Sequence, residues 1–99
     1  MKKKIAILGS TGSIGQTTLD IIKENKSHYQ IDLLTTNKNF NKIFLQAKKF
    51  KVKNLIIHNI KVFNDKQNFL RKMKINVYQN IFDFKKNYKS KLDYTMSSI

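Results

Sequence analysis

The sequence predicts an α/β fold, a parallel sheet with flanking helices, and two observations carry the prediction. Short apolar runs alternate with stretches whose apolar residues recur at helical spacing along all 99 residues. The first run, Ile5-Ala6-Ile7-Leu8, passes directly into Gly9-Ser10-Thr11-Gly12-Ser13-Ile14-Gly15 and then into a helical pattern. A buried strand, a tight glycine turn and a helix start, in that order, form a site for a phosphate diester. The first backbone N–H groups of a helix have no internal partner, and the helix dipole adds partial positive charge at the same point.

Each element follows from the pattern. After the glycine turn, Ile14, Thr18, Ile21 and Ile22 predict helix one, with Lys23 and Lys26 near its C-terminal end. Ile31 to Thr36 reads as a second strand. Phe40, Ile43, Phe44, Ala47 and Phe50 then share one face of a second helix, and Leu55-Ile56-Ile57 forms a third strand. Phe63, Leu70 and Met73 mark a third helix, Ile75 to Tyr78 a fourth strand, and Ile81, Phe84 and Tyr88 a short fourth helix. Tyr94 to Ile99 begins a fifth strand. Such alternation implies parallel strands joined by helical crossovers. The last strand is expected to present an uncovered edge or face, so the domain reads as incomplete at its C-terminus.

The glycines give this fold a dinucleotide-binding, Rossmann-like character. Gly9 lets the chain leave the strand sharply, Gly12 lets backbone approach a pyrophosphate, and Gly15 lets the helix pack closely. The spacing G-x-x-G-x-x-G is a variant of the commoner G-x-G-x-x-G, and its strand-to-helix context supports the same reading. A mononucleotide phosphate loop would need a second glycine where Ile14 stands.

Composition narrows the function classes. The net charge is +14, from 20 Lys and Arg against 6 acids. The lysines are dispersed among Asn and Ile, and Arg71 is the sole arginine, so nucleic-acid binding is not expected; base-edge readout favours the arginine fork. The charge should still attract anionic ligands. There is no cysteine, which is compatible with a reducing cytoplasm and leaves neither disulfides nor thiolate metal sites. Met1-Lys2-Lys3-Lys4 imitates a signal peptide, but four apolar residues fall short of the ~7 to 15 its core needs. No stretch approaches a membrane span. The acids are scattered, with no carboxylate cluster to hold a metal. His28 and His58 lack partners at a telling spacing, although His58 falls at the ligand-binding end of the third strand.

Cofactor preference is legible after the second strand. An NAD-preferring fold has an acid there for the ribose hydroxyls. This chain has Thr35-Thr36-Asn37-Lys38-Asn39 instead. Lys38 can pair with a 2′-phosphate, and Asn37 and Asn39 can hydrogen-bond it without repulsion, which argues for NADP(H). The same asparagines can also serve as a turn closing onto helix two.

Ile7-Leu8-Gly9-Ser10-Thr11-Gly12-Ser13-Ile14-Gly15, followed by Thr18-Leu19-Asp20-Ile21-Ile22, resembles the N-terminus of the 1-deoxy-D-xylulose 5-phosphate reductoisomerase family. The similarity continues through Asn37-Lys38-Asn39, Gln46-Ala47 and Asp93 to Ile99. The resemblance implies an enzyme that rearranges and reduces 1-deoxy-D-xylulose 5-phosphate to 2-C-methyl-D-erythritol 4-phosphate in non-mevalonate isoprenoid biosynthesis. It implies NADPH, a magnesium or manganese ion in the full-length enzyme, a phosphosugar substrate and a homodimer. By that likeness Thr11, Gly12, Ser13 and Ile14 contact the cofactor's phosphates and nicotinamide side, and Lys38 and Asn39 hold its 2′-phosphate. Many family members have glycine at the place of Asn37, and asparagine tolerates a left-handed backbone. The family's Asn-Lys-Glu-Ser segment, metal ligands and lid correspond to positions beyond Ile99. Residues 1–99 are therefore expected to be the N-terminal part of the NADPH-binding domain, with no catalytic or metal-binding residue assigned. The competing readings are a freestanding dinucleotide-binding module without catalysis and a basic nucleic-acid-binding protein.

Overall fold

A computed structural model describes residues 2–98. Strands and helices alternate throughout: β1 Lys3–Leu8, α1 Ser13–Glu24, β2 Tyr29–Thr36, α2 Phe40–Phe50, β3 Asn54–Ile57, α3 Ile60–Lys72, β4 Asn76–Tyr78, α4 Ile81–Asn87 and β5 Tyr94–Ser97. The five strands form one sheet in the order β4-β3-β2-β1-β5, and every adjacent pair is parallel. The predicted Rossmann-like architecture is therefore the one found. Ile99, which the pattern assigns to the last strand, lies outside the described residues.

Strand order dictates where the helices go. Three connections step outward from β1 to β4, and the fourth returns across the sheet to place β5 on the other side of β1. Ile5 and Ile7 of β1 accordingly face a large core with Leu19 and Ile22 of α1, Ile43 and Ala47 of α2 and Leu70 of α3. Ala6, on the opposite face, joins Leu33, Ile56 and Phe84 of α4 in a smaller one. Alternate β1 residues serve the two cores, as the pleat requires. The order reverses at β1, and the crevice between the C-terminal ends of β1 and β5 is where parallel sheets of this kind take ligands.

The inward face of α1 differs from the expectation. Gly15, Leu19 and Ile22 are its buried residues, whereas Ile14 and Ile21 are 64% and 60% exposed. Close approach of Gly15 to the preceding turn fixes the rotation of the helix and overrides the hydropathy of the isoleucines. Met73 likewise caps α3 at its C-terminal end and is exposed rather than part of the core. β5 is an edge strand whose Tyr94, Thr95 and Ser97 are exposed, as the sequence leads one to expect.

Asp32 is the one buried carboxylate in this sheet. The β1–β2 register pairs Ile5 with Ile31 but Ala6 with Leu33, so Asp32 is the extra residue of a bulge. Gln30 Nε2 donates to its Oδ1 at 2.6 Å, and the Tyr88 hydroxyl donates to its Oδ2. Burial, and then this hydrogen bond to a carboxylate, push the Tyr88 phenol up to about 12.

Candidate functional site

The glycine turn is held by four hydrogen-bonded anchors, Thr35, Gln46, Thr36 and Ser98. Gly9 has φ 75°, a left-handed backbone that lets β1 end abruptly, and the Gly12 N–H closes the turn on Gly9 O at 3.3 Å. Gly9 N–H donates to Thr35 Oγ1 at 2.9 Å, and Ser10 N–H donates to Thr35 O at 3.0 Å. Ser10 is fully buried and exchanges two bonds with Gln46 of α2: its hydroxyl donates to Oε1 at 2.8 Å, and Gln46 Nε2 returns one to Ser10 O at 2.9 Å. Thr11 and Thr36 share a hydroxyl–hydroxyl bond at 2.7 Å. From the other side, Ser98 Oγ donates to Leu8 O and Gly9 O, each at 2.8 Å. The turn is consequently fixed before any ligand arrives.

The N-terminus of α1 differs from those of the other three helices. Asn39, Asn59 and Asn80 cap α2, α3 and α4, accepting from the N–H groups of Lys42, Val62 and Asp83 at 3.3, 3.0 and 2.9 Å. Gly12 precedes α1 and offers no side-chain cap. The first-turn N–H groups of α1 are thus left for another acceptor. A Cβ at Gly12 would meet only Gly9 O, at 3.7 Å, so open space lies over this backbone.

These features meet at a cleft of 360 Å³ lined by Gly9, Thr11, Gly12, Thr35, Thr36, Asn37, His58 and Ser98. It draws together Thr11, Gly12 and Asn37 of the residues the sequence singles out. Ser13 and Ile14 follow as the first two residues of α1, and Lys38 and Asn39 lie between Asn37 and α2, all exposed and outside the lining. Asn39 is the cap of α2, so its Oδ1 is already engaged and only its amide nitrogen remains to donate. Asn37 does not need the left-handed backbone expected of it: Lys51 and Lys74 are the positive-φ residues among the described non-glycine positions. Its carbonyl instead accepts from Asn59 N–H at 2.8 Å.

Four residues of the site are given no role by a reading by motif. Ser10 and Gln46 latch together across 36 positions, and nothing local signals the pair. His58 and Ser98 enter the cleft only because the sheet order puts their strands beside β2 and β1. A larger cavity of 590 Å³ opens at the opposite ends of the strands, against Lys2, Ile22, Tyr29 and Phe50. It is remote from the glycine turn and from the switch in strand order, so it is not the dinucleotide crevice.

Known proteins resemble this chain in sequence and in fold. The family model described as 1-deoxy-D-xylulose 5-phosphate reductoisomerase matches residues 5–99. The chain is 43% identical to the 1-deoxy-D-xylulose 5-phosphate reductoisomerase of Pelagibacter ubique over 98% of its own length and 26% of that relative's. It superimposes on the Zymomonas mobilis reductoisomerase in complex with NADPH with a TM-score of 0.70 and 32% identity, covering 78% of this chain and 20% of that one. A DOX-P reductoisomerase in complex with magnesium gives a TM-score of 0.59 and 26% identity, over 99% and 20% of the two chains. The chain thus spans about a quarter of the length of the Pelagibacter protein. By sequence and fold, it belongs to the 1-deoxy-D-xylulose 5-phosphate reductoisomerase family.

Proposed function

We propose that this chain is the NADP(H)-binding part of a 1-deoxy-D-xylulose 5-phosphate reductoisomerase, an oxidoreductase that forms 2-C-methyl-D-erythritol 4-phosphate in isoprenoid biosynthesis. The observation that carries the reading is the helix without a cap. Of the four helices, α1 alone starts without a side-chain cap, and it does so where the glycine turn meets a cleft at the switch in strand order. Family membership and the NADPH bound to the Zymomonas protein support the same ligand.

The residues fit the cofactor. Thr11, Gly12, Ser13 and Ile14 receive the pyrophosphate, chiefly through backbone N–H groups, with the bare Gly12 leaving room for it. Lys38 supplies the cation for the 2′-phosphate, with Asn37 and the free amide nitrogen of Asn39 as donors. No acid stands at the end of β2 to repel that phosphate. When bound, the dinucleotide supplies the reducing equivalents, and this chain's part is to hold and orient it.

A divalent magnesium or manganese ion, the phosphosugar substrate and a homodimeric assembly are assigned to the full-length enzyme. The described residues do not fit the metal: no group of three His, Cys, Asp or Glu side chains converges among them. No helix among the described residues is long and apolar enough to cross a membrane, and the lack of cysteine suits the cytoplasm, where we place the enzyme.

Titrating the chain with NADPH and NADH, followed by nicotinamide fluorescence, tests the reading. NADPH is expected to bind more tightly by roughly tenfold or more, since a hydrogen bond to a charged group contributes about 1.5–3 kcal/mol. Lys38→Glu should reverse the order. Equal affinities, or tighter NADH, would remove the assignment to NADP(H).

A further inference from the structure

We propose that His58 is a specificity-determining residue for the adenosine 2′-phosphate, a hydrogen-bond donor on the β3 side of the cleft; the inference rests on the NADP(H) reading above. His58 directly follows β3 and lines the cleft together with Thr36, Asn37 and the glycine turn. Its place there is fixed from two directions. Its own N–H donates to Thr36 O at 3.1 Å, and the next N–H, of Asn59, donates to Asn37 O at 2.8 Å. The segment that begins α3 is therefore stitched to the turn that carries Asn37 and Lys38.

The imidazole remains exposed on this stitched backbone. β3 neighbours β2 on the side away from β1, so a ligand whose pyrophosphate lies over Gly12 presents its ribose end at β2 and anything appended to that ribose toward β3. NADP(H) differs from NAD(H) by one such appendage, a phosphate. An imidazole ring N–H donates to a phosphate oxygen. On the opposite flank, Gln79 Nε2 reaches the His58 carbonyl at 3.5 Å and leaves the ring untouched.

The test measures NADPH and NADH dissociation constants for the parent, His58→Ala and His58→Arg at one pH and one ionic strength. His58→Ala is expected to weaken NADPH about three- to fivefold, the scale of a solvent-exposed contact to a charged group. His58→Arg should hold NADPH at least as tightly as the parent. NADH should bind all three proteins alike. Unchanged NADPH affinity for His58→Ala, or the same loss with NADH, would overturn the role of His58 while leaving the cofactor assignment standing. A parent chain that prefers NADH, or binds neither cofactor, would remove both. Circular dichroism of each variant confirms that the exposed substitution leaves the fold intact.

Discussion

Gly15 in the first turn of α1 rests directly on Gly9 at the end of β1: a β-carbon at position 15 would lie 2.5 Å from the Gly9 carbonyl oxygen. The same atom would meet Ser10 Cα at 2.6 Å and Ser10 C at 2.7 Å. All three are backbone atoms, held in place by the bonds of Gly9 and Ser10 to Thr35 and Gln46. The contact sets the angle at which α1 leaves the turn and which of its faces is buried.

Gly15→Ala is therefore expected to destabilise the chain by about 1–3 kcal/mol, the range for overpacking a site that cannot relax. The midpoint of thermal unfolding should fall by roughly 4–8 °C per kcal/mol in a domain of this size. Thermal melts followed by circular dichroism measure it, and an unchanged midpoint would mean that α1 can slide away from the turn.

Gly12→Val should do the reverse, sparing the fold and removing the ligand. Gly12 has φ −76° and ψ 173°, which any residue adopts, and its Cβ would make only ordinary contact at 3.7 Å. Stability should change by about 1 kcal/mol or less, the scale of a poorer residue at a helix N-cap. NADPH affinity should fall at least roughly tenfold as the pyrophosphate loses its bonds to the α1 backbone. Paired melts and cofactor titrations separate the two effects, and undiminished binding would show the glycine turn to be only a connection.

The Tyr88–Asp32 bond predicts an alkaline sensitivity. The folded-state pKa of Tyr88 is raised from 10.0 to about 12, so the fold holds the phenol's proton more tightly than the unfolded chain does. This contribution is fully present below pH 10.0 and is lost as the pH rises toward about 12. Tyr88→Phe should lower stability at neutral pH by about 1 kcal/mol, and the gap to the parent should close through that window. Urea unfolding across the pH series gives the comparison. Near-ultraviolet titration should also lose its last phenolate in the variant, and a constant gap at every pH would contradict the bond.

The exposed edge at β5 predicts association that grows with salt. Self-repulsion at a net charge of +14 keeps copies apart at low ionic strength. Screening shrinks the Debye length from about 10 Å at 0.1 M salt to about 3 Å at 1 M. Edge-to-edge pairing through Tyr94–Ser97 should then appear as rising light scattering, and Thr95→Lys should suppress it. A monomer at every salt concentration would mean that the edge is protected.

Much of the fold was legible because the period of apolar residues changes wherever strand gives way to helix. The glycine turn was legible too, since its neighbours in sequence are also its neighbours in space. The face of α1 was not, because the isoleucines at 14 and 21 outweigh a glycine on any hydropathy scale while the inward rotation is decided by the absence of a Cβ at 15. Asn39, Asn59 and Asn80 did carry a local signal, an N-cap residue ahead of each later helix, and its absence before α1 could have been noticed from sequence. Asp32 could not have been read in the same way. Its burial depends on a bulge and on a tyrosine 56 positions away.

Thr35 and Thr36 are where β2 becomes a measuring device. The same two residues grip Gly9, Ser10 and Thr11 through their side-chain and carbonyl oxygens and lead straight into Asn37 and Lys38. The glycine turn and the turn of Asn37 and Lys38 are thus mounted on neighbouring strands, a single strand spacing of about 4.8 Å apart. On the proposed reading a ligand is gauged by the spacing of its phosphates as well as by its charge: a molecule with one phosphate can reach either turn, but only one with phosphates on both the 5′ and 2′ positions of a ribose can occupy both at once.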